Sequence, residues 1–167
     1  MSKTSRTKGG NMYLGIDPGN EQTAYALVRE DYVVIEADKV DNRVFRAYLR
    51  GFKFHHPEVC IESIQSYGMT VGRTVFETCY EIGRIIETCE RQNFIWRLYP
   101  RPEYARALIG GMKIKDSLIR QALITRFGGD KKGEPLHRLK GNTDKRSAFA
   151  VAVYHIDKMR LSKASDF

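Results

Sequence analysis

Three short stretches rich in β-branched and aromatic residues come before any helical periodicity, so close together that only tight turns can join them. Residues 12–17 form an apolar run closed by the turn Asp17-Pro18-Gly19, residues 22–29 form the next, and residues 32–37 follow Glu30 and Asp31. Connections this short pair neighbouring strands antiparallel, so the spacing predicts a meander. The pattern then changes. Apolar runs at 58–62 and 93–99 alternate with helical patterns over 41–51, 73–92, 102–109, 115–127 and from 143 or 144 to about 160. Strands separated by helices run parallel. The order β-β-β-α-β-α-β-α-α-α therefore predicts an α/β fold: a mixed five-stranded sheet, meander plus parallel strands, with helices on both faces.

Within the longest of the inner helices, Val75, Cys79, Ile82, Ile86 and Cys89 recur at alternating spacings of four and three, a stripe expected in the core. Phe76 and Ile85 widen it. Cys60, Cys79 and Cys89 form no C-x-x-C pair and are odd in number, so small buried packing is their expected role and a reducing compartment suits them. The 167 residues are enough for about one domain. It is expected over 12–162, after a flexible basic tail at 1–11 and before a C-terminal tail at 163–167. No run of 18 apolar residues spans a membrane, and the polar N-terminus is no secretory signal, so the expected location is the cytoplasm.

The net charge of +8 favours a polyanionic partner, and its distribution says more than its size. Residues 97–146 hold thirteen basic and five acidic side chains, so that stretch carries the whole excess and the remainder is neutral. Its Gly/Lys-rich part, 128–141, reads as a mobile basic loop.

Three carboxylates stand at strategic ends. Asp17 closes the first strand, although Asp-Pro-Gly is also a ready turn. Glu62 ends the run Val59-Cys60-Ile61, where an exposed strand end is the ordinary alternative. Asp144 opens the last helix, where capping is the ordinary role of an aspartate. In a mixed α/β sheet, strand C-terminal ends share one edge, where ligands bind. If the first and fourth strands are neighbours, Asp17 and Glu62 converge there and the last helix brings Asp144 alongside. Clustered carboxylates repel and call for cations, Mg²⁺ being the oxygen-seeking choice. Two such ions ~3.5–4 Å apart can activate a water and stabilise the leaving oxygen of a phosphodiester.

The element order is that of the RNase H-like fold, and the motifs carry a resemblance within it. Leu14-Gly15-Ile16-Asp17-Pro18-Gly19 with Thr23-Ala24-Tyr25 resembles the opening of the RuvC family of Holliday junction resolvases. Ile61-Glu62 resembles that family's second acidic strand, and Asp144 to Ala152 its C-terminal acidic helix. The segment 115–128, with Ile119-Arg120-Gln121-Ala122-Leu123, is most similar to the phage-encoded branch. The resemblance implies a homodimer that binds four-way DNA junctions and nicks two strands symmetrically with Mg²⁺ or Mn²⁺, Asp17, Glu62 and Asp144 being catalytic metal ligands. It implies no small-molecule cofactor and no membrane partner. The bacterial pattern has a further acid three residues after Asp144, where this chain has Ser147, leaving a fourth ligand open, with Asp116 one substitute.

Lys115, Lys131, Lys132 and Lys140 are candidate phosphate contacts, Lys115 also matching a family lysine near the scissile phosphate. Arg73 joins them. Tyr67 and Met69 follow Glu62 in a loop where stacking on or wedging between opened bases is expected. The four histidines make no metal-like spacing. The alternative function is a branched-DNA binding protein with weak or absent cleavage, motivated by Ser147. A nuclease acting on flaps or RNA–DNA hybrids is a variant of the first reading. The glycine-rich opening also resembles a sugar-kinase or actin-like phosphate loop, but the chain lacks the second domain and adenosine motifs of that class.

Overall fold

The computed structural model describes residues 10–53, 55–66, 68–111 and 113–165. Strands β1 (Met12–Pro18), β2 (Gln22–Arg29) and β3 (Val34–Asp41) form the meander, followed by helix α1 (Asn42–Arg50). Then come β4 (Glu58–Ser63), α2 (Arg73–Arg91), β5 (Trp96–Pro100), α3 (Arg101–Ile109) and α4 (Asp116–Phe127). A 3₁₀ turn at His137–Leu139 leads to α5 (Thr143–Ser165), which takes in part of the stretch read as a C-terminal tail. The sheet order is β3-β2-β1-β4-β5, with β1/β2 and β2/β3 antiparallel and β1/β4 and β4/β5 parallel. The expected mixed sheet is present, and its first and fourth strands are neighbours.

Side-chain alternation along the strands splits the core in two. Tyr13, Ala26, Val28 and Cys60 face α3, α4 and α5, whereas Leu14, Ile16, Tyr25, Leu27, Val59 and Ile61 face α1 and α2. Helices thus cover both faces of the central strands, which accounts for their near-continuous apolar runs.

Several local expectations shift. β3 starts two residues later than read, because Tyr32 takes a positive φ of 68° in the turn before it, and runs on to Asp41. Asp41 then caps α1, its side chain accepting from the Arg43 N–H at 2.7 Å. β5 likewise starts late, after Asn93 at φ 57° reverses the chain beyond α2. The α2 stripe is rotated from its expected position. Thr78, Glu81, Ile82, Ile85, Thr88 and Cys89 are the buried positions, while Cys79 is exposed and Val75 only partly covered. The cause is Glu81, fully buried and paired with Arg46 of α1, which turns the helix so that a polar residue lies in the seam. Ile85 consequently serves this chain's own core, and Phe76 stays exposed.

The 128–141 segment, expected as a mobile basic loop, is anchored. Leu136 and Leu139 are buried in the α5-side core, and Asp130 is held by Arg120. Glycine and lysine content set that expectation; the two leucines, three residues apart on a 3₁₀ turn, decide the outcome.

Candidate active site

One close approach positions the site. A Cβ built on Gly15 would lie 1.8 Å from the Ala148 carbonyl oxygen and 3.0 Å from the Ala152 Cβ, so α5 lies directly on β1 at a point where only glycine fits. Small residues at 148 and 152, one helical turn apart, form the matching side of α5. From that crossing, Asp17 is two residues forward on the same face of β1, ~6.6 Å at strand rise. Asp144 is four residues back along α5, ~6 Å at helical rise. The two acids leave the crossing by nearly equal steps toward the same edge. β4 supplies the third: its register pairs Gly15 with Cys60 and Ile16 with Ile61, so Glu62 comes up beside Asp17.

The same registers draw a row across the sheet. Lys39 of β3 pairs with Ala24 of β2, Ala24 with Asp17 of β1, and Glu62 of β4 with Tyr99 of β5. Ala24 is short, and Lys39 passes over it to donate to Asp144 Oδ2 at 2.5 Å. On the other side, Tyr104 of α3 donates to Glu62 Oε2 at 2.7 Å, and Arg101 Nη1 stands 3.7 Å from Glu62 Oε1. Arg101 also donates to the Ser147 hydroxyl at 3.0 Å and pairs with Asp116. The turn after Asp17 is pinned from behind. Buried Asn42 donates to the Gly19 and Asn20 carbonyls at 3.0 and 3.2 Å, while Thr23 donates to its Oδ1 at 2.8 Å. Asn142 accepts from the Asp144 and Lys145 N–H groups, both at 3.0 Å, so Asn142 is the cap and the Asp144 carboxylate is left to point outward.

Electrostatics follow from the crowding. Burial, then Glu62, then Asp144 push the Asp17 carboxyl up to about 8, against the opposing pull of Arg101 and Lys39. Burial raises Glu62 as well, opposed by its hydrogen bond from Tyr104 and by Arg101. Burial works against the Arg101 charge, but Tyr104, Glu62, Asp116 and Asp17 together hold it more firmly protonated than usual. Between Asp17, Lys39, Asp144 and the 18–22 turn lies an open cleft of about 410 Å³.

Among the described residues, no three Asp, Glu, His or Cys side chains stand together as a metal-holding group. Ammonium and guanidinium groups occupy the cation positions instead. The donor chemistry fits one hard divalent cation: Asp17 and Asp144 line the cleft, Glu62 stands beside Asp17 outside that lining, and Lys39 is the group an ion would displace. It does not fit two, because the fourth carboxylate is absent, Ser147 is buried under Arg101, and Asp116 is tied to that same arginine.

The other candidates divide. Lys115 occupies the N-cap position of α4 without a side-chain capping bond, next to the Asp116 that pairs with Arg101; Lys131, Lys132 and Lys140 are exposed and make no ion pair among the described residues. A smaller part of the surrounding positive charge is structural, with Arg120 paired to Asp130 and Arg126 to Asp157. Arg73 is exposed at the start of α2 and bonded to Glu77 rather than to any of the three acids. Met69 is exposed. Tyr67 lies outside the described residues. His155 is buried between Tyr99 and Glu58, at 2.7 and 2.8 Å, a core role. Sequence reasoning missed Lys39, Asn42, Arg101 and Tyr104. The one signal for any of them was position, Arg101 standing immediately past a strand's C-terminal end.

No protein-family model matches the sequence, and no curated protein matches it significantly. Solved structures do. The structure titled RuvC from T. thermophilus in complex with Holliday junction substrate superposes with a TM-score of 0.70 at 14% identity, over 91% of this chain and 96% of that one. A second Thermus thermophilus RuvC structure gives 0.65 at 16% identity, over 90% and 96%. The chain has the RuvC fold, an RNase H-like mixed sheet, over nearly its whole length. No described helix is long and apolar enough to cross a membrane.

Proposed function

We propose that this chain is a RuvC-family, divalent-cation-dependent endodeoxyribonuclease that resolves four-way DNA junctions by paired nicks. The observation that carries the reading is the convergence of Asp17, Glu62 and Asp144 at one sheet edge, in a fold shared with a protein solved on a Holliday junction. Bound Mg²⁺, or Mn²⁺ in its place, supplies Lewis acidity and a water of lowered pKa. The protein's own groups do the rest. Asp17, set by the flanking strands and the Asn42-pinned turn, Glu62, held by Tyr104, and Asp144, in the first turn capped by Asn142, would hold the ion once Lys39 gives way. Lys115, Lys131, Lys132 and Lys140 neutralise phosphates beside the cleft and set the register of the DNA. Tyr67 and Met69 supply stacking surface after β4, and Arg73 a further phosphate contact. The nuclease unit spans 12–162.

A homodimer suits a substrate of approximate two-fold symmetry, one active site serving each cut strand. Phe76 and Tyr80, exposed on α2, support that face as the contact. A phage origin would place the reaction in the host cytoplasm. The alternative reading, a branched-DNA binder with little cleavage, is favoured by Ser147 and by the two ion-paired acids. Incubation of a synthetic four-way junction with Mg²⁺, beside a linear duplex, flaps, a hybrid and an Asp17→Asn control, separates them. Paired nicks in the junction, lost in the control with binding retained, are expected. Intact junction with tight binding would remove the enzyme.

A further inference from the structure

Ser147, which stands where the resemblance implies an acid, is joined to Arg101 in the structure. Ser147 lies three residues after Asp144 on the same face of α5, is 2% exposed, and finds its partner in Arg101 Nη1 at 3.0 Å. Arg101 opens α3 directly after β5, the strand beside β4, which brings its guanidinium to the β4 side of the cluster. There it meets four groups from four elements: Glu62 Oε1 at 3.7 Å, the Tyr104 hydroxyl at 3.2 Å, Ser147, and Asp116. A planar fork with five donors can satisfy such a set at once; an ammonium cannot.

Building on the nuclease reading above, we infer that Arg101 is the fixed cation of the carboxylate cluster, so that the site takes one divalent ion rather than two. The guanidinium stands on the Ser147 side in the role of a second ion, and the serine is the small neutral neighbour that admits it. The guanidinium is shared between Glu62 and Asp116, so it offsets part of the cluster's negative charge and leaves Asp17 and Asp144 as the carboxylates facing the cleft. A carboxylate at 147 would face Arg101 and pair with it, so this guanidinium would hold an acid there away from an ion. The two cations of the cluster are not equivalent. Lys39 reaches Asp144 by one bond from a flexible stem, whereas Arg101 is held by several partners, so an entering ion displaces Lys39 and leaves Arg101 in place. Arg101 then presents a permanent positive charge beside the ion, where a phosphodiester would gather negative charge.

The test is the stoichiometry of Mn²⁺ binding to the full chain without DNA, by calorimetry and by the loss of the free-ion spin-resonance signal. One ion is expected for the wild type. Ser147→Asp alone is expected to stay at one, its new carboxylate being taken by Arg101, and Ser147→Asp with Arg101→Ala is expected to bind two. Two ions on the wild type, or on Ser147→Asp alone, would overturn the inference and leave the nuclease reading standing. No binding to the wild type, matching Asp17→Asn, would overturn the metal-dependent reading itself. Two ions on the wild type would refute the inference without any variant, so the test survives poor folding of the double variant.

Discussion

Replacing Gly15 by alanine tests the crossing on which the site is built. The added Cβ would sit 1.8 Å from the Ala148 carbonyl oxygen, and the gap must open by about 1.2 Å to reach 3.0 Å, the shortest contact that real Cβ atoms show. The obstacle is helix backbone, so no side chain can rotate away; α5 must lift from β1 as a unit or β1 must bend. Overpacking of this kind costs ~3 kcal/mol or more where nothing flexible gives. At ~2–4 °C per kcal/mol for a chain of this size, the melting temperature should fall by roughly 6–12 °C. Urea denaturation supplies the stability, and Gly83→Ala supplies the control. Gly83 lies exposed inside α2 with nothing within 4 Å of a built Cβ, so the same substitution there should stabilise by ~0.5–1 kcal/mol through helix propensity. Opposite signs at the two glycines are expected. A Gly15→Ala protein with an unchanged midpoint would show that α5 does not lie on β1 as described. The stability would then be accompanied by unchanged Mn²⁺ affinity, since Asp144 would not have moved from Asp17.

Two further outcomes follow from the electrostatics. Folding raises the Asp17 carboxyl from 3.8 to about 8, so the folded protein holds a proton that the unfolded chain releases. Its stabilising contribution is complete below about pH 4 and is lost as the pH rises toward 8, at no more than ~1.4 kcal/mol per pH unit. The raised Glu62 adds in the same direction, whereas the lowered Asp157 acts only below about pH 4. Metal-free protein should therefore melt lower at pH 8 than at pH 5, with the slope reduced by Mg²⁺ and by Asp17→Asn; a flat or rising profile in chelator would refute the crowding. For the basic surface, Lys131→Ala with Lys132→Ala should weaken junction and duplex binding alike. Anisotropy titrations across salt, in the Asp17→Asn background, should show the log–log slope reduced by ~0.9 for each phosphate that is no longer neutralised. An unchanged slope would take these lysines off the DNA.

The elements legible in the sequence are those whose signal is local. β2 is readable at its observed ends because turn residues bracket an unbroken β-rich run, and α1 because Asp41 caps it and Gly51 follows it. Asp17 and Glu62 stand out because a carboxylate that ends an apolar strand is visible in a handful of residues. α2 is legible as a helix but with its face rotated, since periodicity alone cannot show that Glu81 has a partner on α1. The basic loop misleads because composition outweighs two leucines whose burial depends on β3 and α5.

Local signals along the chain thus set the order of the elements, the mixed sheet, the placing of three carboxylates at element ends and the stretch that carries the positive charge. Each is set by residues near one another along the chain. The tertiary structure alone decided what neutralises those acids. Lys39 reaches Asp144 because two strand registers align it with Asp17 over a short alanine, and Arg101 reaches Ser147 across 46 residues because β5 ends beside β4 under α5. Side chains with so little in common along the chain become partners only when registers and a helix crossing close the distance. For that reason Ser147 reads in the sequence as a lost acid, and in the fold as the hydroxyl partner of Arg101.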